Sequence, residues 1–188
     1  MGAAFDESFK KRYRRNKEAL EWYDALAMAV AVIAIVFTFF VRIVKVDGHS
    51  MDPTLFNGER ILINLMKQPD YGDIVVVDGY TNYGKPLVKR VIGLPGDTVS
   101  IQNGYVYING EKLEESYLPR QGVTAAGNQE EYVVPEGCLF FLGDNRTNSQ
   151  DARLWDNPYI PVDKVRSHVL VCISFLKENS WRGIRVVS

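Results

Sequence analysis

Thr98-Val99-Ser100-Ile101-Gln102-Asn103-Gly104-Tyr105-Val106-Tyr107-Ile108-Asn109-Gly110 is the stretch whose reading decides the fold class. Two short runs rich in β-branched and aromatic residues are separated by Asn-Gly, and a second Asn-Gly follows. The tightest hairpin turn needs positive φ at both central residues, which Asn and Gly tolerate best. The stretch therefore predicts consecutive β-hairpins. Similar short runs lie on either side: Arg60-Ile-Leu-Ile-Asn64, Asp73-Ile-Val-Val-Val-Asp78, Pro86-Leu-Val-Lys-Arg-Val-Ile92, Tyr132-Val-Val134, Cys138-Leu-Phe-Phe-Leu142 and His168-Val-Leu-Val-Cys-Ile-Ser174. Turn residues punctuate them at the spacing of an all-β domain. No long amphipathic helix follows residue 45. Residues 114–131 lose the pattern and turn polar, as in a long surface loop or small cap. The expected architecture is mainly β: an antiparallel sheet domain over residues 45–188, with residues 103–135 inserted as a hairpin and loop cap.

Composition narrows the class. The chain has 188 residues and a net charge of -1, so it suits one main domain with attachments and nothing global points to nucleic acid. Its two cysteines, Cys138 and Cys172, sit in apolar runs without metal-ligand spacing, and are expected as free core thiols. Two histidines are too few for a histidine-rich zinc site, and no metal or cofactor is expected.

One segment departs from the β pattern. From Ala25 to Val41 there is no charged side chain. With Trp22, Tyr23 and the Ile43-Val44 pair beyond Arg42, the run reaches roughly 20 residues, enough to cross a bilayer as helix. A cleavable signal peptide would have a shorter apolar core ending in an Ala-x-Ala-like site. Here the far end reads Phe37-Thr-Phe-Phe-Val-Arg42, which favours a retained anchor over 22–44, in contact with membrane lipid. Lys10, Lys11, Arg12, Arg14, Arg15 and Lys17 crowd its N-terminal side. Cytoplasmic flanks carry the excess of Lys and Arg, so residues 1–21 are expected in the cytoplasm and the domain after the anchor outside.

The candidate chemistry lies beyond the anchor. Ser50 sits in Gly48-His49-Ser50-Met51-Asp52-Pro53-Thr54-Leu55, a turn framed by glycine and proline. Gly48 permits close backbone approach, and backbone N–H groups of such a turn can form an oxyanion hole. The same serine also suits a plain turn in which its hydroxyl bonds its own backbone. A nucleophilic serine needs a base. His49 points to the opposite face from Ser50 in extended chain, and His168 has no acid near it in sequence. Lys89 differs. Period 2 puts Leu87, Lys89 and Val91 on one strand face, apolar except for the lysine. Burial there would lower the lysine and make it a general base; a snorkelling lysine at a sheet edge is the alternative. Arg90, on the other face, is expected to face solvent. A third cluster, Gly143-Asp-Asn-Arg-Thr-Asn-Ser149-Gln-Asp151-Ala-Arg153, reads as a salt-bridged loop through Asp144, Arg146 and Arg153. Ser149 could hydrogen-bond an amine and aim it.

Together, Val46–Leu55, Gly72-Asp-Ile-Val75, Val88-Lys89-Arg-Val-Ile-Gly-Leu-Pro-Gly-Asp97 and Gly143–Arg153 resemble bacterial type I signal peptidases in their Gram-positive form. The resemblance implies that Ser50 is acylated and that Lys89 is the general base. It implies that Ser149 orients Lys89, and that Asp144, Asp151, Arg146 and Arg153 are mainly structural. The oxyanion would be held by the Ser50 backbone N–H. Some relatives add a hydroxyl two residues earlier, where this chain has Gly48. The implied substrate is the signal peptide of an exported preprotein, bound extended and cut after small residues at P3 and P1. Val46, Met51, Leu55, Ile61 and Val88 are the candidate pocket residues by position, and proximity to the secretion machinery is implied. Two other readings remain. One is a self-cleaving serine/lysine regulator, which would be cytosolic and carry a DNA-binding segment. The other is an anchored β-rich binding module, or an inactive homologue, in which Ser50 and Lys89 are structural.

Overall fold

The computed structural model describes residues 2–77, 84–175 and 181–186. The chain divides into two units, residues 1–40 and residues 41–188.

The first unit is one helix, α1 (Gly2–Phe39). Its segment Asn16–Phe39, 24 residues, is long and apolar enough to cross a membrane. Trp22, Leu26, Ile33 and Phe37 are all more than half exposed, which a water-soluble helix would avoid. Thr38, the polar side chain of the run, donates its hydroxyl to the Ala34 carbonyl at 2.6 Å and so satisfies itself inside the helix. The helix is shorter at its far end than the sequence suggests. It stops at Phe39, and Ile43 and Val44 belong to a strand. β-branched residues alternating with Arg42 and Lys45 suit a strand paired to a neighbour, and that pairing ends the helix.

The second unit is mainly antiparallel β. The strands are β1 (Val41–Lys45), β2 (Arg60–Asn64), β3 (Ile74–Val77), β4 (Leu87–Gly93), β5 (Thr98–Gln102), β6 (Tyr105–Ile108), β7 (Glu111–Lys112), β8 (Glu131–Val133), β9 (Cys138–Leu142), β10 (Tyr159–Pro161), β11 (Val165–Phe175) and β12 (Trp181–Val186). The larger sheet runs β1-β2-β11-β3-β4-β9-β10, with β12 added on β11. The smaller sheet runs β7-β6-β5-β8. Both Asn-Gly turns form as expected: Asn103 (φ 51) with Gly104 (φ 83), and Asn109 (φ 53) with Gly110 (φ 85). The inserted sheet starts earlier than residue 103, because β5 is one of its two inner strands.

Two cores lie against the larger sheet, and β3 shows why. Val75 and Val77 enter a core shared with Val99, Val106, Tyr132 and Phe140. Ile74 and Val76 enter a second core with Val46, Met51, Leu55 and Ile61. Successive residues point to opposite faces, so a continuous apolar run such as β3 is covered on both. β3 pairs with β4 in the register Val75↔Lys89 and Ile74↔Arg90. Both faces of β4 are therefore buried as well, and Arg90, expected at the surface, is 1% exposed. Cys138 is a half-buried free thiol, and the buried Cys172, in no disulfide, donates its thiol to Glu59 Oε2 at 3.1 Å. His168 lies in β11; its side chain is outside the described residues, as is Asp78.

Candidate active site

Ser50 lies in the connection between β1 and β2. Gly48 opens the turn at φ +103, a conformation that only glycine adopts readily. A side chain there would meet nothing within 4 Å, so the glycine serves backbone conformation and not close approach. The Gly48 N–H donates to Asn57 Oδ1 at 3.1 Å, and Met51 and Leu55 pin the turn into the second core. His49 turns away from Ser50 to pair its Nδ1 with Asp52 Oδ2 at 3.0 Å.

Lys89 arrives from the middle of β4, 39 positions along the chain, and its Nζ donates to Ser50 Oγ at 2.7 Å. The lysine is 2% exposed. Among the described residues no carboxylate pairs with it. Burial pulls it down from the ordinary 10.5 to about 8, against the opposing pull of Asp151 and then Asp144, with Arg153 adding slightly to the lowering.

The Gly143–Arg153 loop, which follows β9, holds these two elements together. The Asn145 N–H donates to the Ser50 carbonyl at 3.0 Å, and Asn145 Nδ2 donates to the His49 carbonyl at 2.9 Å. Asp144 accepts from Thr54 Oγ1 at 2.5 Å and from Arg90 Nε and Nη2 at 2.9 and 2.7 Å. It therefore ties the Ser50 turn to the residue beside Lys89. Arg153 clasps Asp151 with Nε and Nη2 at 2.8 Å each, and the Asp151 Oδ2 accepts from the Gly143 N–H at 3.0 Å.

Gly143 is a site residue to which sequence reasoning assigned no role. A Cβ there would lie 2.1 Å from Ser149 Oγ and 2.5 Å from the Ser50 carbonyl oxygen. Only glycine lets the loop approach this closely. Its place at the head of the Asp-Asn-Arg motif was the available signal. Ser149 is buried beside it, 5% exposed, and its hydroxyl has no hydrogen-bond partner among the described residues. The hydrogen bond to Lys89 that an orienting role implies is not made in this geometry.

Glu115, Thr124 and Tyr117 were also unforeseen. They lie in the polar segment expected as a surface loop, yet Glu115 is 3% and Thr124 2% exposed. Arg146 explains this: its Nη2 donates to Glu115 Oε1 at 2.5 Å, its Nη1 donates to Thr124 Oγ1 at 2.9 Å, and its Nε donates to the Gly143 carbonyl at 3.0 Å. The Tyr117 ring lies under the Arg90 guanidinium at 3.8 Å. Polar residues read as solvated when their partner is an arginine distant in sequence.

The five candidate pocket residues come together. Val46, Met51, Leu55 and Ile61 are buried in the second core, with Val88 packed against it. Leu55 and Ile61 have no exposed surface. No cluster of metal-ligating side chains occurs among the described residues.

An antiparallel β domain behind one long apolar helix, with a serine bonded to a buried lysine, has known relatives. The family model for signal peptidase, peptidase S26, matches residues 19–174, so the chain belongs to that family. Signal peptidase I S of Bacillus subtilis is 39% identical over 151 residues, covering 74% of this chain and 80% of its own. Signal peptidase IB of Staphylococcus aureus is 38% identical over 157 residues, covering 73% and 81%. A crystal structure of a signal peptidase I from Enterococcus faecalis is 33% identical, with a TM-score of 0.45, over 54% of this chain and 97% of that one.

Proposed function

We propose that this chain is a membrane-anchored serine endopeptidase that removes signal peptides from exported preproteins, with Ser50 as nucleophile and Lys89 as general base. The observation that carries the proposal is the 2.7 Å contact between Lys89 Nζ and Ser50 Oγ, made by an amine whose burial brings it to about 8. Near that pH a large share of the lysine is neutral. The neutral amine accepts the Ser50 hydroxyl proton as Oγ attacks the scissile carbonyl. The Ser50 backbone N–H stabilises the oxyanion. The Lys89 ammonium then gives its proton to the departing amine of the mature protein. In the second half, Lys89 takes a proton from water as its oxygen attacks the acyl carbonyl. The acyl C–Oγ bond then breaks, Ser50 Oγ takes that proton back from the Lys89 ammonium, and the signal peptide leaves as a carboxylate.

Of the candidate pocket residues, the half-buried Val88 can meet a substrate side chain, while Val46, Met51, Leu55 and Ile61 form the packed core behind it, which leaves room only for small residues at P3 and P1. The signal peptide would add as an extended strand. The basic flank of the helix supports a cytoplasmic N-terminus and an extracytoplasmic domain. Membrane lipid and the secretion machinery are then its neighbours. Ser50→Ala should reduce cleavage of a labelled preprotein by the detergent-solubilised full chain by about 10⁴-fold or more. Undiminished cleavage would return Ser50 to a turn residue and assign the nucleophile elsewhere, whereas no cleavage by the wild type would favour the binding-module reading.

A further inference from the structure

Ser149 lines a cavity of about 320 Å3 with Val123, Ala125, Gly127, Thr147 and Leu154. A second cavity of about 190 Å3 shares Val123, Arg146 and Thr147 with the first and reaches Asp52, two residues beyond Ser50. Sharing three lining residues, the two form one groove. It holds two buried oxygens that lack a hydrogen-bond partner among the described residues, Ser149 Oγ and Asp52 Oδ1. Buried polar atoms of this kind are rare in native proteins unless something else satisfies them.

The groove is built and not incidental. One wall is the 118–127 segment, the other the loop after β9. Arg146 Nη1 donates to Thr124 Oγ1, Arg153 Nη1 donates to the Ala125 carbonyl at 3.2 Å, and the Asn128 N–H donates to the Arg153 carbonyl at 2.9 Å. At Gly127 a Cβ would fall 2.5 Å from the Arg153 carbonyl oxygen, so the walls meet backbone to backbone. The groove also adjoins the nucleophile. The space left by the missing Cβ of Gly143 lies 2.1 Å from Ser149 Oγ and 2.5 Å from the Ser50 carbonyl oxygen, so these two oxygens are close neighbours. None of its lining residues belongs to the apolar cluster assigned above to the residues before the cut.

We propose that this groove receives the polypeptide on the leaving side of the scissile bond, and that the 118–127 wall determines which residues are accepted there. The proposal rests on the peptidase reading above. An extended chain crossing the active site must depart away from the pockets that hold its upstream part. Val123, Ala125, Gly127 and Thr147 are small, leaving room for side chains of modest size, while Leu154, 45% exposed, forms an apolar rim.

The test uses the full chain in detergent and preproteins with one common signal peptide. Their first four mature residues are either small or bulky; a second set varies only P1 and P3. Ala125→Trp should raise the small-over-bulky ratio of kcat/KM about tenfold, and Leu154→Ala should lower it. Neither should alter the ranking of the P1 and P3 set. Ala125 and Leu154 are both exposed, and thermal unfolding of each variant checks that it folds. If Ala125→Trp and Leu154→Ala leave the ratio unchanged, or shift the P1 and P3 ranking instead, the groove assignment is wrong while the peptidase stands. If the wild type cuts none of the substrates, or Ser50→Ala cuts as well as wild type, both readings fall together.

Discussion

Lys89 and Arg90 are neighbours on β4, 2% and 1% exposed, and they meet opposite fates. Arg90 is clasped by both Asp144 oxygens, donates through Nη1 to the Gly72 carbonyl at 2.6 Å and lies over the Tyr117 ring. Its charge is fully accommodated. Among the described residues Lys89 pairs with a serine hydroxyl and no carboxylate, and burial moves it toward neutrality. Two buried cations on one strand thus divide into a permanent ion that holds the site together and a titratable one suited to moving a proton. What separates them is the partner each face supplies, because burial is the same for both.

The comparison can be broken most forcefully at the Arg90 face. Asp144→Ala strips a buried guanidinium of its carboxylate and also frees Thr54, so it should cost about 3–5 kcal/mol in denaturant unfolding. A loss below 1 kcal/mol would mean that Arg90 finds water and is not truly buried.

Next comes pH. As the proposed general base, Lys89 would work only when unprotonated, and burial brings it to about 8. So kcat/KM should rise about tenfold per pH unit from pH 6, then level above pH 8. A flat profile between pH 6 and 9, with chemistry limiting, would assign the proton to another group.

Lys89→Met sharpens the contrast from the stability side. The lysine is lowered from 10.5 to about 8 on folding, so the unfolded chain binds more protons between those values. Native stability therefore rises with pH across that window and carries the full penalty, about 3 kcal/mol, below pH 8. Removing the amine at pH 7 should abolish cleavage yet stabilise the fold by about 1–3 kcal/mol, read as a higher Tm. A lower Tm would show that Lys89 is held by more than Ser50.

The smallest effect is expected at Tyr117→Leu. It removes the ring under Arg90 but keeps apolar cover, and should cost about 1 kcal/mol. A double-mutant cycle with Asp144→Ala would measure how far the ring and the carboxylate act on Arg90 as one unit.

Much of this was legible in the linear pattern. The Asn-Gly turns announced the smaller sheet because positive φ at paired positions is a local demand. The apolar run announced α1 because composition alone decides whether a helix suits lipid. Period 2 put Lys89 on an apolar face. The same rule misplaced Arg90: alternation says which residues share a face, not what covers it. The partners of Arg90 lie 54 positions away at Asp144 and 27 away at Tyr117. Glu115 was misread for the same reason, since its arginine is 31 positions distant. The end of α1 was misjudged because Ile43 and Val44 are apolar enough for either element, and only pairing with β2 decides.

The sequence by itself thus determined the element types, the long apolar helix and the two residues proposed here to do the chemistry, since these follow from local propensity and side-chain type. Only the tertiary structure decided that they meet. It closed 39 residues of chain to set Lys89 against Ser50. It used the missing side chain of Gly143 to bring the Asp144–Arg153 loop up against the Ser50 turn. Among the described residues it gave Arg90 a carboxylate and Lys89 none. Burial and partner choice depend on contacts between segments far apart in the chain, and those are set by packing, not by neighbours in sequence.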